Sequence, residues 1–265
     1  MNHIVVAVDL SKNSKDAVRY AANLATHTGA DLLIVHYHSL LQKAVAYTTG
    51  NPENGKSPEQ WIEKRITKLR SKYPDLVVDY QVNKDGVLDG LTKIVEKINA
   101  DLVVMGCQGV GVNEGTFLGS SSGAMVKTTE IPILLVPAGY KFKGIDKIVF
   151  AAKNTFVKFM GPLEPIIKIK QIFKPHIQLL HLGEDPDPVP EQSFSILQVI
   201  NDITRYGNDN FNESINEYLS QHHADMLCVI RRKRGFFEKL LGPARTPASK
   251  FNVNIPVLVL IGDDY

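Results

Sequence analysis

Short, unbroken apolar runs recur along the chain, separated by longer segments in which apolar residues return every third or fourth position. Ile4–Val8 is the first run, β-branched and free of polar residues, as a strand buried on both faces of a parallel sheet requires. It ends at Asp9, with Leu10, Ser11 and Ser14 behind it. Ala17, Val18, Ala21, Leu24 and Ala25 then follow at helical spacing, and Gly29 supplies a stop. Leu32–Val35 is the next strand, ending at His36 and Tyr37; a unit this compact needs a right-handed crossover and a parallel pair. Thr48–Ser57 is polar and rich in Gly, Pro and Asn, which predicts a loop. From Ser57–Pro58 onward Ile62, Ile66, Leu69 and Tyr73 form one apolar stripe, with Pro at the first helical position. Leu76–Val82 alternates like an edge strand. Val87, Leu91, Ile94, Val95 and Ile98 predict a helix, Ala100–Met105 a strand, Ala124–Thr129 a helix-like segment and Ile131–Val136 another buried strand. Strands alternating with helices in this way predict a doubly wound α/β sheet of order 3-2-1-4-5.

The same pattern returns in the second half. Lys147–Lys153 parallels His3–Asp9, Ile177–Leu182 parallels Leu32–Tyr37, Ala224–Ile230 parallels Ala100–Gly106, and Ile255–Leu260 parallels Ile131–Val136. Asp101 and Ile131 stand as far apart as Asp225 and Ile255. These matches predict a tandem duplication, the second copy shortened in its middle by about twenty residues. The Pro/Gly/Lys stretch Ala138–Gly144 reads as the boundary, giving domains 1–140 and 141–265. The expected fold is two mostly parallel five-stranded sheets, Rossmann-like, forming a pseudo-twofold pair. The acidic, proline-studded Glu184–Glu191 and the tail Gly262–Tyr265 read as solvated connectors.

Composition narrows the function without naming it. The 265 residues are 44% hydrophobic with a formal charge of +2, which suits a globular core and gives no reason to invoke nucleic acid or a membrane surface. Two cysteines make no disulfide framework and no metal-ligand pair by spacing. The opening Met-Asn-His-Ile-Val-Val reads as a strand and not as a signal peptide, and no apolar run is long enough to span a bilayer; the expected location is cytoplasmic.

The chemistry gathers after the Leu102–Met105 run, in Gly106-Cys107-Gln108-Gly109 and, nine residues on, Gly119-Ser120-Ser121-Ser122-Gly123. Glycines let backbone N–H groups approach a ligand closely. Serines at a helix start, with the helix dipole, favour an anion. In a 3-2-1-4-5 sheet the winding reverses between strands one and four, where ligands bind; Asp9 ends one of those strands and Gly106 the other. Loop chemistry and topology therefore point at one crevice. The second half has lost it: aligned without gaps, Gly106 becomes Ile230, Gly109 Lys233, Gly119 Pro243, Ser120 Ala244 and Asp9 Lys153.

The G-x-x-G, nine residues, G-S arrangement resembles the nucleotide-binding motif of the universal stress protein family, in its ATP-binding branch. The likeness is strong over 1–140 and degenerate over 141–265. It implies that Asp9 lies at the mouth of an adenine pocket, that the backbone of Tyr37 meets adenine, that Gly106 lies along the ribose, and that Gly109, Gly119, Ser120 and Ser121 hold the phosphates. The implied ligand is ATP, or ADP or AMP, with Mg2+ an optional companion of the phosphates. The position of Tyr37 is commonly small and aliphatic in that branch, so an aromatic there bears on the pocket's shape. The resemblance also implies pairing through the last strands; Ile133–Val136 and Val257–Ile261 would then pair antiparallel within one chain, with a further homodimer and an unidentified protein partner open.

Plainer readings stand beside these. Asp9 also reads as a helix cap, His36 and His181 as a shared structural feature, and Cys107 as a small filler. His222–His223 has no partner at metal-ligand spacing. Arg231–Arg234 could reach across to phosphates in the first half, but last-strand pairing would set the two crevices well apart. The expectation is that this loop fills the vacated crevice of the second half and presents a basic surface to a partner, leaving nucleotide affinity nearly untouched by changes at Arg231 and Arg232. Phosphoryl transfer needs cations and a group that orients the nucleophile; the loop offers N–H groups and hydroxyls, with Lys127 more than a turn away. The expected function is a nucleotide-binding regulatory module in the stress response with at most slow hydrolysis. The alternatives are a nucleotide-free partner-binding scaffold and an ATP-cleaving enzyme of the same winding, which would carry a Ser/Gly-rich phosphate loop where Leu10–Lys15 stands.

Overall fold

Strand β1 (His3–Val8) is the axis of the first half, paired in parallel with β2 (Asp31–Tyr37) on one side and β4 (Leu102–Cys107) on the other. The structure, a computed structural model, describes residues 1–37, 57–83, 87–107, 120–182, 194–206, 210–232, 251 and 253–262. Ile4–Val8 are all buried, which explains the unbroken apolar run. Helix α1 (Lys12–Thr28) begins where the Ser14 N–H donates to Ser11 Oγ at 3.3 Å, and it ends at Gly29 with φ +69°. A residue without Cβ suits that left-handed stop. The five apolar residues that predicted the helix lie on its buried face, which holds nine residues in all.

Helix α2 (Pro58–Lys72) opens with a reciprocal cap. Gln60 N–H donates to Ser57 Oγ at 3.3 Å, and Ser57 N–H donates to Gln60 Oε1 at 3.2 Å. Trp61 joins Ile62, Ile66 and Leu69 on the buried side, while Tyr73 closes the helix and donates its hydroxyl to Asn23 Oδ1 at 2.8 Å. Strand β3 (Val78–Asn83), helix α3 (Val87–Lys97), helix α4 (Ser120–Thr128) and strand β5 (Ile133–Pro137) complete this half.

The second half contributes β6 (Lys147–Ala152), β7 (Phe156–Val157), α5 (Glu164–Phe173), β8 (His176–His181), β9 (Phe194–Ser195), β10 (Asp202–Arg205), α6 (Phe211–Gln221), β11 (Met226–Arg231) and β12 (Val257–Ile261). The strands lie in the order β10-β8-β6-β11-β12-β5-β4-β1-β2-β3, so each half follows 3-2-1-4-5. The two sheets are not separate bodies. β12 pairs antiparallel with β5, Leu258 facing Leu134, and this join fuses them into one ten-stranded sheet whose other neighbours are parallel. Ile133, Leu134, Leu135, Val257, Leu258 and Val259 are at most 1% exposed, so both would-be edges are covered. β7 and β9 form a small antiparallel pair of their own, too short to show in the apolar pattern.

One face of the sheet carries α1, α2 and α5, and the other carries α3, α4 and α6. The antiparallel join has a geometric result: the carboxyl ends of the strands point to opposite edges in the two halves. Matching braces hold the first strand of each half. Asp101 Oδ2 accepts the N–H groups of Asn2 and His3 at 2.5 and 2.9 Å, and Asp225 Oδ2 accepts those of Asp146 and Lys147, both at 2.9 Å. The stretch between β5 and β6 is tied to both halves. Gly139 N–H donates to Asp16 Oδ2 at 2.7 Å, Tyr140 donates to the Asp225 carbonyl at 3.1 Å, and the Phe142 ring lies between Tyr20 and Phe173 at 5.1 and 5.9 Å. Burial, with Asp225 adding to it, pushes the Tyr140 hydroxyl up to about 12.

Candidate functional site

At the carboxyl edge of the first half, β4, β1 and β2 lie side by side with Ala7 opposite Met105 and Val8 opposite His36. Gly106, Asp9 and Tyr37 each follow one step later, so the three residues come to one edge at the point where the winding reverses. This is where ligands enter sheets of this kind.

Asp9 turns the chain from β1 into α1. Its Oδ1 accepts the Ser11 N–H at 3.0 Å and the Ser14 hydroxyl at 2.5 Å, while Ser14 Oγ accepts the Asp9 N–H at 3.0 Å. The loop closed by these bonds holds Leu10 at φ +67°, a conformation unfavourable for a residue with a Cβ. Ser11, not Asp9, caps the helix; Asp9 instead braces the turn that delivers the cap. Desolvation alone would raise the Asp9 pKa, but hydrogen bonds from Ser11 and Ser14 outweigh it and hold the carboxyl below its ordinary value. The result is an ionised acceptor on an exposed residue at the mouth of the crevice.

Gly106 serves a close approach. A Cβ there would lie 3.0 Å from both the carbonyl carbon and the oxygen of Asn13, and 3.2 Å from Asn13 Cβ. The first turn of α1 therefore rests on this glycine, and Gly106 sets how closely the Asp9 turn lies beside β4. Asn13 and Ser14 are the site-forming residues that sequence patterning did not single out as partners. Their only trace was the serine pair behind Asp9.

Tyr37 is 3% exposed, and its ring belongs to the core layer of α3 and α4. A Cβ on Gly90 of α3 would meet Tyr37 Cε1 at 2.4 Å, so the ring is accommodated by a glycine in the facing helix. The aromatic side chain occupies the core, and the strand end presents backbone to the edge. His36 Nδ1 contacts the Val8 carbonyl at 2.8 Å and His181 Nε2 the Lys153 carbonyl at 2.9 Å, so both histidines bind backbone where the central strand of their half ends. Cys107 is buried in the core, 2% exposed.

Ser120 and Ser121 begin α4, and the following Ser122 is buried. Gly109 and Gly119 lie outside the described residues. Among the described residues no group of three or more His, Cys, Asp or Glu comes together as a metal ion would require, and no helix is long and apolar enough to cross a membrane.

The corresponding edge of the second half corrects one expectation. Arg231 reaches out of its own half. Its Nη1 donates to the Lys127 carbonyl and its Nη2 to the Thr129 carbonyl, both at the end of α4 in the first half. Burial lowers the Arg231 pKa, with Glu130 acting in the opposite direction. Arg232 does turn inward, donating to the Phe156 carbonyl at 2.5 Å. Lys233 and Arg234 lie outside the described residues.

Known proteins agree with this architecture. A universal stress protein of Mycobacterium tuberculosis is 28% identical over 142 residues, covering 50% of this chain and 43% of that protein, so the match spans less than half of the relative's length. Universal stress protein A homolog 1 of Coxiella burnetii is 29% identical over 140 residues, covering 51% of this chain and 94% of its own. The crystal structure of a universal stress protein from Archaeoglobus fulgidus shares the fold, with a TM-score of 0.62, 15% identity and 98% of both chains covered. Residues 1–137 match the profile of the universal stress protein family, and the chain belongs to that family.

Proposed function

We propose that this chain is an adenine-nucleotide-binding regulatory protein with one site, in a domain of residues 1–140, joined to a duplicated domain of residues 141–265 that has lost its own. The observation that carries this reading is the meeting of Asp9, Tyr37 and Gly106 at the edge where the winding reverses. The residues suit such a ligand. Asp9 is held ionised by its serines and accepts hydrogen bonds from the nucleoside end. The Tyr37 ring, buried against Gly90, leaves backbone groups for adenine. Gly106 lets α1 close one wall beside the ribose. Gly109, Gly119, Ser120 and Ser121 hold the phosphates at the start of α4, where free N–H groups and the helix dipole favour an anion. ATP is the proposed ligand, with ADP and AMP sharing the same contacts and Mg2+ accompanying the phosphates.

These groups are acceptors, hydroxyls and backbone N–H groups, which hold a nucleotide without the charge neutralisation that transfer of a phosphoryl group demands. The function is therefore binding that reports nucleotide state to a partner. Calorimetric titration of the full chain with ATP is expected to fit one site, and Gly109→Val or Gly119→Val to abolish it. Two equivalent sites, or no binding up to millimolar ATP, would refute the reading.

A further inference from the structure

We infer that Arg231, supplied by the second half, is a positioning residue for helix α4 and through it for the phosphate end of the nucleotide site, so that the half without a glycine motif remains a working part of that site. This role rests on the nucleotide reading above. α4 runs from Ser120 to Thr128, nine residues that span about 13 Å. Its start is the proposed phosphate end. Its finish lies at the opposite edge of the sheet, the edge to which the antiparallel join of β5 and β12 brings the carboxyl ends of the second half. Arg231, the last residue of β11, is thereby set beneath the end of a helix whose start it has no means of reaching.

A helix this short is marginal without tertiary support. The last carbonyls of a helix lack partners within it. In α4 the Met125 carbonyl accepts the Thr129 N–H at 2.9 Å and the Ala124 carbonyl accepts the Thr128 hydroxyl at 3.0 Å. Arg231 takes the Lys127 and Thr129 carbonyls with two arms of one planar group. A cation there also complements the negative end of the helix dipole. Two bonds from a rigid fork fix direction as well as position, which a single ammonium does not. Met125 and Val126 are at most 1% exposed and seat the helix sideways; Arg231 fixes it along its length. In the gapless alignment of the halves, Arg231 stands where the first half has Cys107. The second half has placed a clamp where the first begins its loop.

The test uses the full chain with Arg231→Ala, Arg231→Lys and, as control, Arg232→Ala, whose guanidinium contacts Phe156 instead. Amide hydrogen exchange without nucleotide reads α4 directly; ATP and adenosine titrations separate the phosphate end from the nucleoside end. Arg231→Ala is expected to speed exchange across residues 120–129 and to weaken ATP by about fivefold or more, with adenosine changed by less than about twofold. Arg231→Lys should fall between, and Arg232→Ala should resemble wild type. Unchanged exchange in α4, or equal weakening of ATP and adenosine, would overturn the inference. Wild-type protein that fails to bind ATP refutes the nucleotide reading and this role with it. Wild-type binding that Arg231→Ala leaves intact refutes the role alone.

Discussion

Replacing Gly106 by alanine tests whether that glycine exists for the helix lying on it. The added Cβ would sit 3.0 Å from the carbonyl carbon and oxygen of Asn13, against 3.4 Å or more for ordinary contact. About 0.4 Å must be found, and neither partner gives it easily. Gly106 is held in β4 opposite Val136. Asn13 belongs to the first turn of α1, anchored by Ser11, Ser14 and a buried face of nine residues. Its carbonyl is backbone and has no rotamer to escape into. Overpacking of this kind costs ~1–3 kcal/mol, and alanine returns ~0.5–1 kcal/mol by stiffening the unfolded chain. The net expectation is a loss of roughly 1–2 kcal/mol, or about 2–8 °C in melting temperature for a chain of this size. Thermal unfolding followed by circular dichroism, without nucleotide, measures it. A variant that melts with wild type but no longer binds ATP would show that Gly106 faces the ligand and not the helix, and would refute the packing argument.

Two further outcomes are expected. Asp9→Asn should destabilise the chain at neutral pH. The Asp9 pKa is lowered in the folded state, so its contribution is fully present above the ordinary value of 3.8 and is lost as pH falls through the lower folded value. Denaturant melts at pH 7 and near pH 3 should then show the gap between variant and wild type closing on the acid side, and a constant gap would refute it. Residues 1–140 expressed alone would leave Ile133–Leu135 without the partner strand they have here, and light scattering should find a dimer or aggregate; a well-behaved monomer would count against the need to cover β5.

The apolar runs of β1, β4 and β5 were legible because strands buried on both faces tolerate no polar residue, and α1 because nine of its residues must face the core. The second half was readable chiefly by comparison with the first. β10, with three of its four residues exposed at the end of the sheet, carries too little burial to leave a pattern, and β7 and β9, two residues each, are too short to leave one. At the site, Asp9 and Gly106 could be found because strand ends are visible in sequence. The contact of Asn13 with Gly106 could not, since it joins segments more than ninety residues apart through helix–strand packing. Arg231 was misread for a related reason. Its cationic run looks like solvated surface until the antiparallel join places the end of α4 beside it.

Joining β5 to β12 within one polypeptide makes their meeting a unimolecular event, with an effective concentration set by the short connection around residues 138–146. Separate subunits would part on dilution, and a contact such as that from Arg231 to α4 would part with them. Here every molecule carries the complete arrangement whatever its abundance in solution. Covalent joining also lifts the self-complementarity that a twofold interface imposes. Leu134 and Leu258 face each other, yet either can change alone, whereas in a symmetric dimer one substitution alters both sides at once. That freedom allows the second half to carry an arginine at the end of β11 with no matching change in the first.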